Sequence, residues 1–391
     1  MGHTVGWIGS LKRQEVAPPE GADPGDFMPL LWVSGLLSFA VTVAAIFVLR
    51  PLAFRVGLVD RPGGRKSHIG EVPLVGGAAL FAALVVVPAG LHEPWPHWLP
   101  AMLFSGLVIL CLGTLDDWFD IKPAVRVVAQ IICGLIVIAG SGLKLDSLGD
   151  LLGAGPVNLG SLATLFTLFC FVGVMNGANL MDGANGLAGG IGLIVCGTFA
   201  IAAGIVGAHS TELALVLIAG GLVAFLLFNF RIRKGAPSRA FLGNAGSLLL
   251  GLVITIAAIA LSQRHVDAMP PICAVWISGV LIIDTLSVMG RRIARRRNPF
   301  SPDRTHLHHL LLSSGLEERW AVASLWVVQL LLSAAGMLAW RNGVPDWLMF
   351  YGFLGLFALY SVAVELAWRS IHRRAAQAAS DVEPLVLPKA A

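Results

Sequence analysis

The chain has 391 residues, of which 56% are hydrophobic and only 13% charged. A soluble domain carries about 25% charged residues, and one of this size could not bury so much apolar surface; disordered, collagen-like, coiled-coil and disulfide-framework classes are excluded as well. The net charge is only +4, so the placement of the charges carries more information than their sum.

Apolar runs of about 18–25 residues read as membrane-spanning helices. In chain order they begin near Phe27, Val72, Trp98, Ala124, Leu159, Leu187, Leu213, Phe241, Ala268, Trp320 and Trp347. The predicted fold is therefore all-α: a polytopic integral membrane protein of about 11 transmembrane helices. Residues 1–26, rich in Pro, Gly and acidic residues, are expected to be a disordered N-terminal tail. Residues 27–368 form the membrane domain, and 369–391 a C-terminal tail expected to be disordered from Ala375. The first apolar run is as long as a span, so no secretory signal is expected before it. With the N-terminus outside, 22 of the 27 Lys and Arg residues fall in inward-facing segments. That asymmetry predicts a cytoplasmic C-terminus. Cys111, Cys133, Cys170, Cys196 and Cys273 all lie inside predicted spans without CxxC spacing, and read as small buried hydrophobes.

The polar residues collect at the inward ends of the spans rather than at the midplane, where a transporter site is expected. This points to chemistry at the inner membrane surface. The first cluster runs from Asp60 to His68, with Lys66 and His68 among Gly, Pro and Arg; it suits either a positive-inside anchor or a loop folded around a phosphate. The second holds Asp116, Asp117 and Asp120, with Arg126 beyond. Adjacent carboxylates at an apolar helix end require a neutraliser, such as a divalent cation, and Asp120, one turn on from Asp116, is expected to share its face. In the third, Asn176, Asn179, Asp182 and Asn185 recur every three positions as one polar stripe, which Gly183 and Gly186 are expected to break into a turn. The fourth, from Phe241 to Ser247, opens a span where free amide groups can receive an anion or serve as a cap; Arg231, Arg233, Lys234 and Arg239 add positive charge upstream. The fifth, Arg291 to His309, ends in Arg304, His306, His308 and His309. With seven Arg between 291 and 319, an anionic diphosphate suits it better than zinc, and an anionic-lipid anchor is the alternative. Asp284 is expected to pair with Arg291 or Arg292.

In this order, DRPGGRKSH, GTLDDWFD, NGANLMDGANGL, FLGNAGS and PDRTHLHH resemble the polyprenyl-phosphate N-acetylhexosamine-1-phosphate transferase superfamily (glycosyltransferase family 4), over roughly residues 28–320. The resemblance implies transfer of a phospho-sugar from a UDP-sugar to undecaprenyl phosphate with release of UMP. It implies dependence on Mg²⁺, with Mn²⁺ as a substitute. It also implies a multi-pass protein of the bacterial inner (plasma) membrane whose active site faces the cytoplasm. Membrane lipid surrounds the protein, no nucleic-acid partner is expected, and a homodimer is compatible with the pattern. The ending DRTHLHH resembles the branch that uses UDP-N-acetylhexosamine, with GlcNAc as the default, and initiates lipid-linked surface polysaccharides such as O-antigen. The phospho-MurNAc-pentapeptide translocase branch and a non-catalytic lipid-binding or flippase homologue are the alternatives.

The mechanism these residues can support has the metal held by Asp117, Asn179 and Asn244, of which Asn244 matches a magnesium ligand of the family, and the remaining roles are expected to follow from it. Asp116 orients the acceptor phosphate or takes its last proton, and Asp182 positions metal or nucleotide. Arg304, His306, His308 and His309 bind diphosphate and sugar, Lys66 and His68 face the acceptor phosphate, and Asn176 and Asn185 contact substrate. Two positions depart from the family pattern: Asn185 and Asn244 stand where Asp is usual. Asn keeps a carbonyl oxygen but loses the charge, so weaker metal affinity is expected.

Overall fold

A computed structural model describes residues 24–62, 70–91, 93, 95–231, 238–263, 268–296 and 305–381. Lys66, His68 and Arg304 lie outside the described residues, as does the expected tail up to residue 23. The helices are α1 (Pro24–Val56), α2 (Gly76–Gly90), α3 (Leu99–Phe119), α4 (Pro123–Ser141), α5 (Ala163–Met181), α6 (Leu187–Ile205), α7 (His209–Asn229), α8 (Gly243–Gln263), α9 (Pro271–Ile277), α10 (Gly279–Ala294), α11 (Leu307–Ser313), α12 (Glu318–Arg341) and α13 (Asp346–Asp381). Two short antiparallel strands, β1 (Val59–Asp60) and β2 (Val72–Pro73), join α1 to α2.

Among the described residues nine helices are long and apolar enough to cross a membrane, and a bent pair would make a tenth. The run beginning near Val72 yields α2, only 15 residues long. The run beginning near Ala268 is split into α9 and α10, which meet at 85°. Helix α1 begins at Pro24, within the expected N-terminal tail, and α13 continues through Asp381, past the expected start of the C-terminal tail.

Helix α8 is apolar all round and almost wholly buried, as a helix without a polar face must be. It is packed by α2, α3, α5 and α6, while α1 and α7 pair with each other and α7 with α6. The outer surfaces of α1, α12 and α13 expose Trp32, Leu36, Phe47, Leu330, Leu331, Leu359 and Val362. Apolar surface on this scale, around the whole body, is the form a lipid-facing protein takes.

The break between α9 and α10 has an internal remedy. A bend frees backbone groups that lipid cannot satisfy. Gln329 of α12 donates from Nε2 to the Ile277 carbonyl (2.6 Å) and accepts from the Val280 N–H (3.1 Å), and Ser333 Oγ also donates to Ile277 (3.0 Å). Gln329→Leu leaves the Val280 N–H without this partner. It is expected to cost about 2–3 kcal/mol, read as a lowered unfolding transition in detergent, whereas Gln329→Glu at low pH should cost less.

Asp60, Asp117, Asp182, Asn244 and His308, one from each of the five polar clusters, come to one end of the described structure. Gly76 and Gly77 donate backbone N–H groups to Phe241 and Leu242 (2.9 and 3.1 Å), joining the start of α2 to the approach to α8. The opposite end is closed by Gln263, which accepts from the Asp146 and Ser147 N–H groups, and by Asp346, which accepts from the Asp150 N–H.

Candidate active site

Helix α3 presents two adjacent carboxylates, and a helix turns about 100° per residue, so they face different partners. Asp116 is buried; its Oδ2 takes Arg126 Nη1 at 2.9 Å and its Oδ1 the Ile121 N–H at 2.7 Å. Both oxygens are thus engaged in tying the α3–α4 turn. Asp120 does not share a helical face with Asp116: the helix ends at Phe119, and Asp120 is an exposed left-handed cap with φ 49°. Asp and Asn adopt that conformation more readily than other non-glycine residues.

Asp117 points at the start of α8. Its Oδ1 accepts the Asn244 N–H at 3.0 Å, the anion at a helix N-terminus that free amides favour. The anion received by FLGNAGS is therefore one of the protein's own carboxylates. Gly243 is required here: its φ is +72°, and a Cβ would lie 2.6 Å from Asp117 Oδ2. Asn179 of α5 completes the connection, donating from Nδ2 to Asn244 Oδ1 (2.8 Å) and Ser247 Oγ (2.9 Å). The three residues assigned to the metal are thus brought together from α3, α5 and α8.

The stripe at 176, 179, 182 and 185 fans out to different neighbours. Asn176 donates to Gln130 Oε1 (2.7 Å) and the Val172 carbonyl (2.8 Å), spending both amide hydrogens inside the bundle. Asp182 caps α5 in the turn before α6. Its carboxyl is pushed up to about 7, first by burial and then by the charges of Asp117 and Asp60. Asp60, on β1, is a carboxylate of this site that the sequence reading did not single out; its place in the first cluster was the available signal. Asn185 is fully engaged. Its N–H and Nδ2 both donate to Glu318 Oε1 (3.0 and 2.6 Å), and its Oδ1 accepts from Ser238 Oγ (2.7 Å). Arg231 donates to the same Ser238 and lies 3.7 Å from Glu318.

The histidine segment docks on the same turn. A Cβ on Gly183 would lie 2.6 Å from His308 Nε2. His306 and His308 are both buried, their rings stacked 5.9 Å apart, with His309 4.1 Å from His308. Burial, and then His309 and His306, push His308 down to about 3. At neutral pH it is an uncharged imidazole rather than a cationic clamp. The Nε2 atoms of His306 and His308 are buried without a hydrogen-bond partner among the described residues. Asp284 does not pair with Arg291 or Arg292. It accepts from His306, the Leu307 N–H and Tyr360, because α11 and α13 bring those donors closer than the arginines of its own helix. Arg291 instead holds Ser287 and the Thr305 carbonyl.

The donor set tests which metal would suit. Among the described residues no three His, Cys, Asp or Glu side chains converge as a metal cage, at the histidines or around Asp117, so any ion here would take much of its shell from other donors. Around Asp117 the donors are oxygens, and Asp60, Asp117 and Asp182 repel one another. An all-oxygen set with few carboxylates and excess negative charge fits Mg²⁺, which commonly takes its remaining ligands from water and substrate phosphate.

Residues 99–262 match glycosyl transferase family 4. Three relatives are named undecaprenyl-phosphate alpha-N-acetylglucosaminyl 1-phosphate transferase. The Yersinia pestis protein is 33% identical over 332 residues, covering 85% of this chain and 90% of the relative. That of Escherichia coli K12 is 32% identical over 345 residues, covering 88% and 94%. That of Haemophilus influenzae is 36% identical over 343 residues, covering 85% and 95%.

Proposed function

The chain belongs to glycosyl transferase family 4, and from that premise we propose that it transfers N-acetylglucosamine 1-phosphate from UDP-GlcNAc to undecaprenyl phosphate, releasing UMP. The observation that carries this reading is the convergence of Asp117, Asn179, Asn244, Asp182 and the buried histidines at one end of an apolar bundle. The Lys and Arg asymmetry supports a cytoplasmic position for that end, and the product would prime a lipid-linked surface polysaccharide such as O-antigen.

The acceptor is a phosphate monoester whose second pKa is about 6, so it is mostly dianionic at neutral pH and needs little general-base help. The harder task is to bring two anionic groups together and stabilise departing UMP. A magnesium ion held by Asp117, Asn179 and Asn244 would supply that neutralising charge. Asp182 adds a carboxyl beside the donor set. With both its oxygens already engaged, Asp116 is better suited to holding the α3–α4 turn and Arg126 than to taking a proton.

A cation-binding site with a raised carboxyl makes a signed prediction. Native Asp182 holds its proton up to about pH 7, while its ordinary value is 3.8. Between those values the folded state binds more protons, so this contribution to stability is present at low pH and lost as pH rises through 7. Cation and proton compete for the carboxylate. The apparent Mg²⁺ affinity, read by thermal shift in detergent, should therefore be about tenfold weaker at pH 6 than at pH 8, and Asp182→Asn should reduce that difference.

The reading is tested by UMP release from purified protein given UDP-GlcNAc, undecaprenyl phosphate and Mg²⁺. Release that needs all three supports it. Release only with another UDP-sugar changes the donor, and silence of folded protein across a donor panel would point to a non-catalytic homologue.

A further inference from the structure

Asp284 sits in α10 with three hydrogen-bond donors around it. His306 Nδ1 lies 2.8 Å from Oδ2, while Oδ1 takes the Leu307 N–H at 3.1 Å and the Tyr360 hydroxyl at 2.7 Å. A carboxyl group ringed by donors is an acceptor-only carboxylate, so the proton shared with His306 belongs on Nδ1. That leaves Nε2 as the functional end of the ring. Nε2 is buried and has no hydrogen-bond partner among the described residues, and the stacked neighbouring ring, His308, rests against Gly183 beside Asp182. A buried polar atom without a partner costs about 1–3 kcal/mol, so its persistence at this end of the bundle points to a ligand.

We propose that Asp284 and Tyr360 are positioning residues that hold His306 with its Nδ1–H on Asp284 and turn its Nε2 toward the sugar nucleotide, where it makes a hydrogen bond to a polar group of that ligand. This rests on the transferase reading for its substrate, but the orientation of the ring does not. Tyr360 lies on α13, outside residues 99–262 that match the family, so the last helix reaches into the site through one hydroxyl. At the ring, Asp284 of α10 meets Nδ1, His308 of α11 stacks on it, and Tyr360 of α13 reaches it through Asp284; one step further out, Arg291 holds the preceding Thr305 carbonyl and His309 contacts His308.

Positioning partners of catalytic or metal-bound histidines are commonly worth 10–100-fold. Asp284→Asn should lower kcat for UMP release about 100-fold and Tyr360→Phe about tenfold, with KM for UDP-GlcNAc changed less than threefold and the acid limb of the pH profile displaced. Because both act through His306, Asp284→Asn added to His306→Gln should cause no further loss. Independently of activity, ¹⁵N-histidine NMR in micelles at pH 8 should show an Nδ1–H signal that His306→Gln removes and Asp284→Asn alters. Tyr360→Phe preserves the aromatic body, so it reports even where Asp284→Asn fails to fold. An unaltered kcat in the folded variants, additive losses with His306→Gln, or an Nε2–H tautomer at His306 would each overturn the proposal. If wild-type protein releases no UMP from any donor, the transferase reading falls while the NMR measurement still decides the orientation of His306.

Discussion

Asp117→Asn is expected to lower UMP release by roughly 10²–10³-fold, a loss of the size seen when one electrostatic stabiliser of an anionic transition state is removed. The substitution separates charge from shape. An amide at this position still offers an oxygen to the Asn244 N–H, now 3.0 Å from Oδ1, and remains compatible with the close approach of Gly243. The junction of α3 with α8 should therefore survive, and the unfolding transition in detergent should move little. What disappears is the negative charge shared with Asp60 and Asp182. Activity should become limited by Mg²⁺, with half-saturation displaced to higher concentration, and should recover only in part at saturating metal. Near-full activity with unchanged Mg²⁺ dependence would remove Asp117 from the metal site. An equal loss in Asp116→Asn would have a different origin, since that carboxylate holds Arg126 and the Ile121 N–H and its variant should also lose stability.

Much of this was legible in the chain. Apolar length marked where helices would run, because lipid and core both demand it. Polar strings at the inward span ends marked the site, because such groups are costly in hydrocarbon unless they are used. Local geometry was less legible. The run near Ala268 contains Ser278-Gly279, a signal for the break, but the angle depends on Gln329, 49 residues from the Val280 N–H it accepts. Adjacent Asp116 and Asp117 look equivalent as letters, and only their rotation about α3 separates a structural carboxylate from a site carboxylate. Asp284 seemed paired within its own helix because the competing donor, Tyr360, lies 76 residues away. The three-residue spacing of Asn176, Asn179, Asp182 and Asn185 was visible. Their division between scaffold and site depends on Gln130, Asn244 and Glu318 in other helices.

Asn185→Asp, which restores the residue usual in the family pattern, is expected to damage this protein. Asn185 gives two hydrogens to one Glu318 oxygen, the side-chain bond being 2.6 Å long, and takes one from Ser238. A carboxylate there could still accept from Ser238, but it would lose a donor and face the Glu318 carboxylate directly. Arg231, 3.7 Å from Glu318, offsets only part of that repulsion. Breaking such a partly buried network should cost about 2–4 kcal/mol, visible as a lower unfolding transition. Activity should fall as well, because the turn being disturbed carries Asp182 and supports His308. Glu318→Gln alone should be mild, since its amide oxygen still accepts the residue-185 N–H. Added to Asn185→Asp it removes the second charge and should restore most of the lost stability, with a coupling of at least about 1.5 kcal/mol in the double-mutant cycle. Additive effects would break the link between the two sites. Coupling of that size would make Asn185 the matched partner of Glu318, so that charge lost at one position is set against charge held at the other, and the departure from the family pattern would mark a compensated scaffold rather than a weakened metal site.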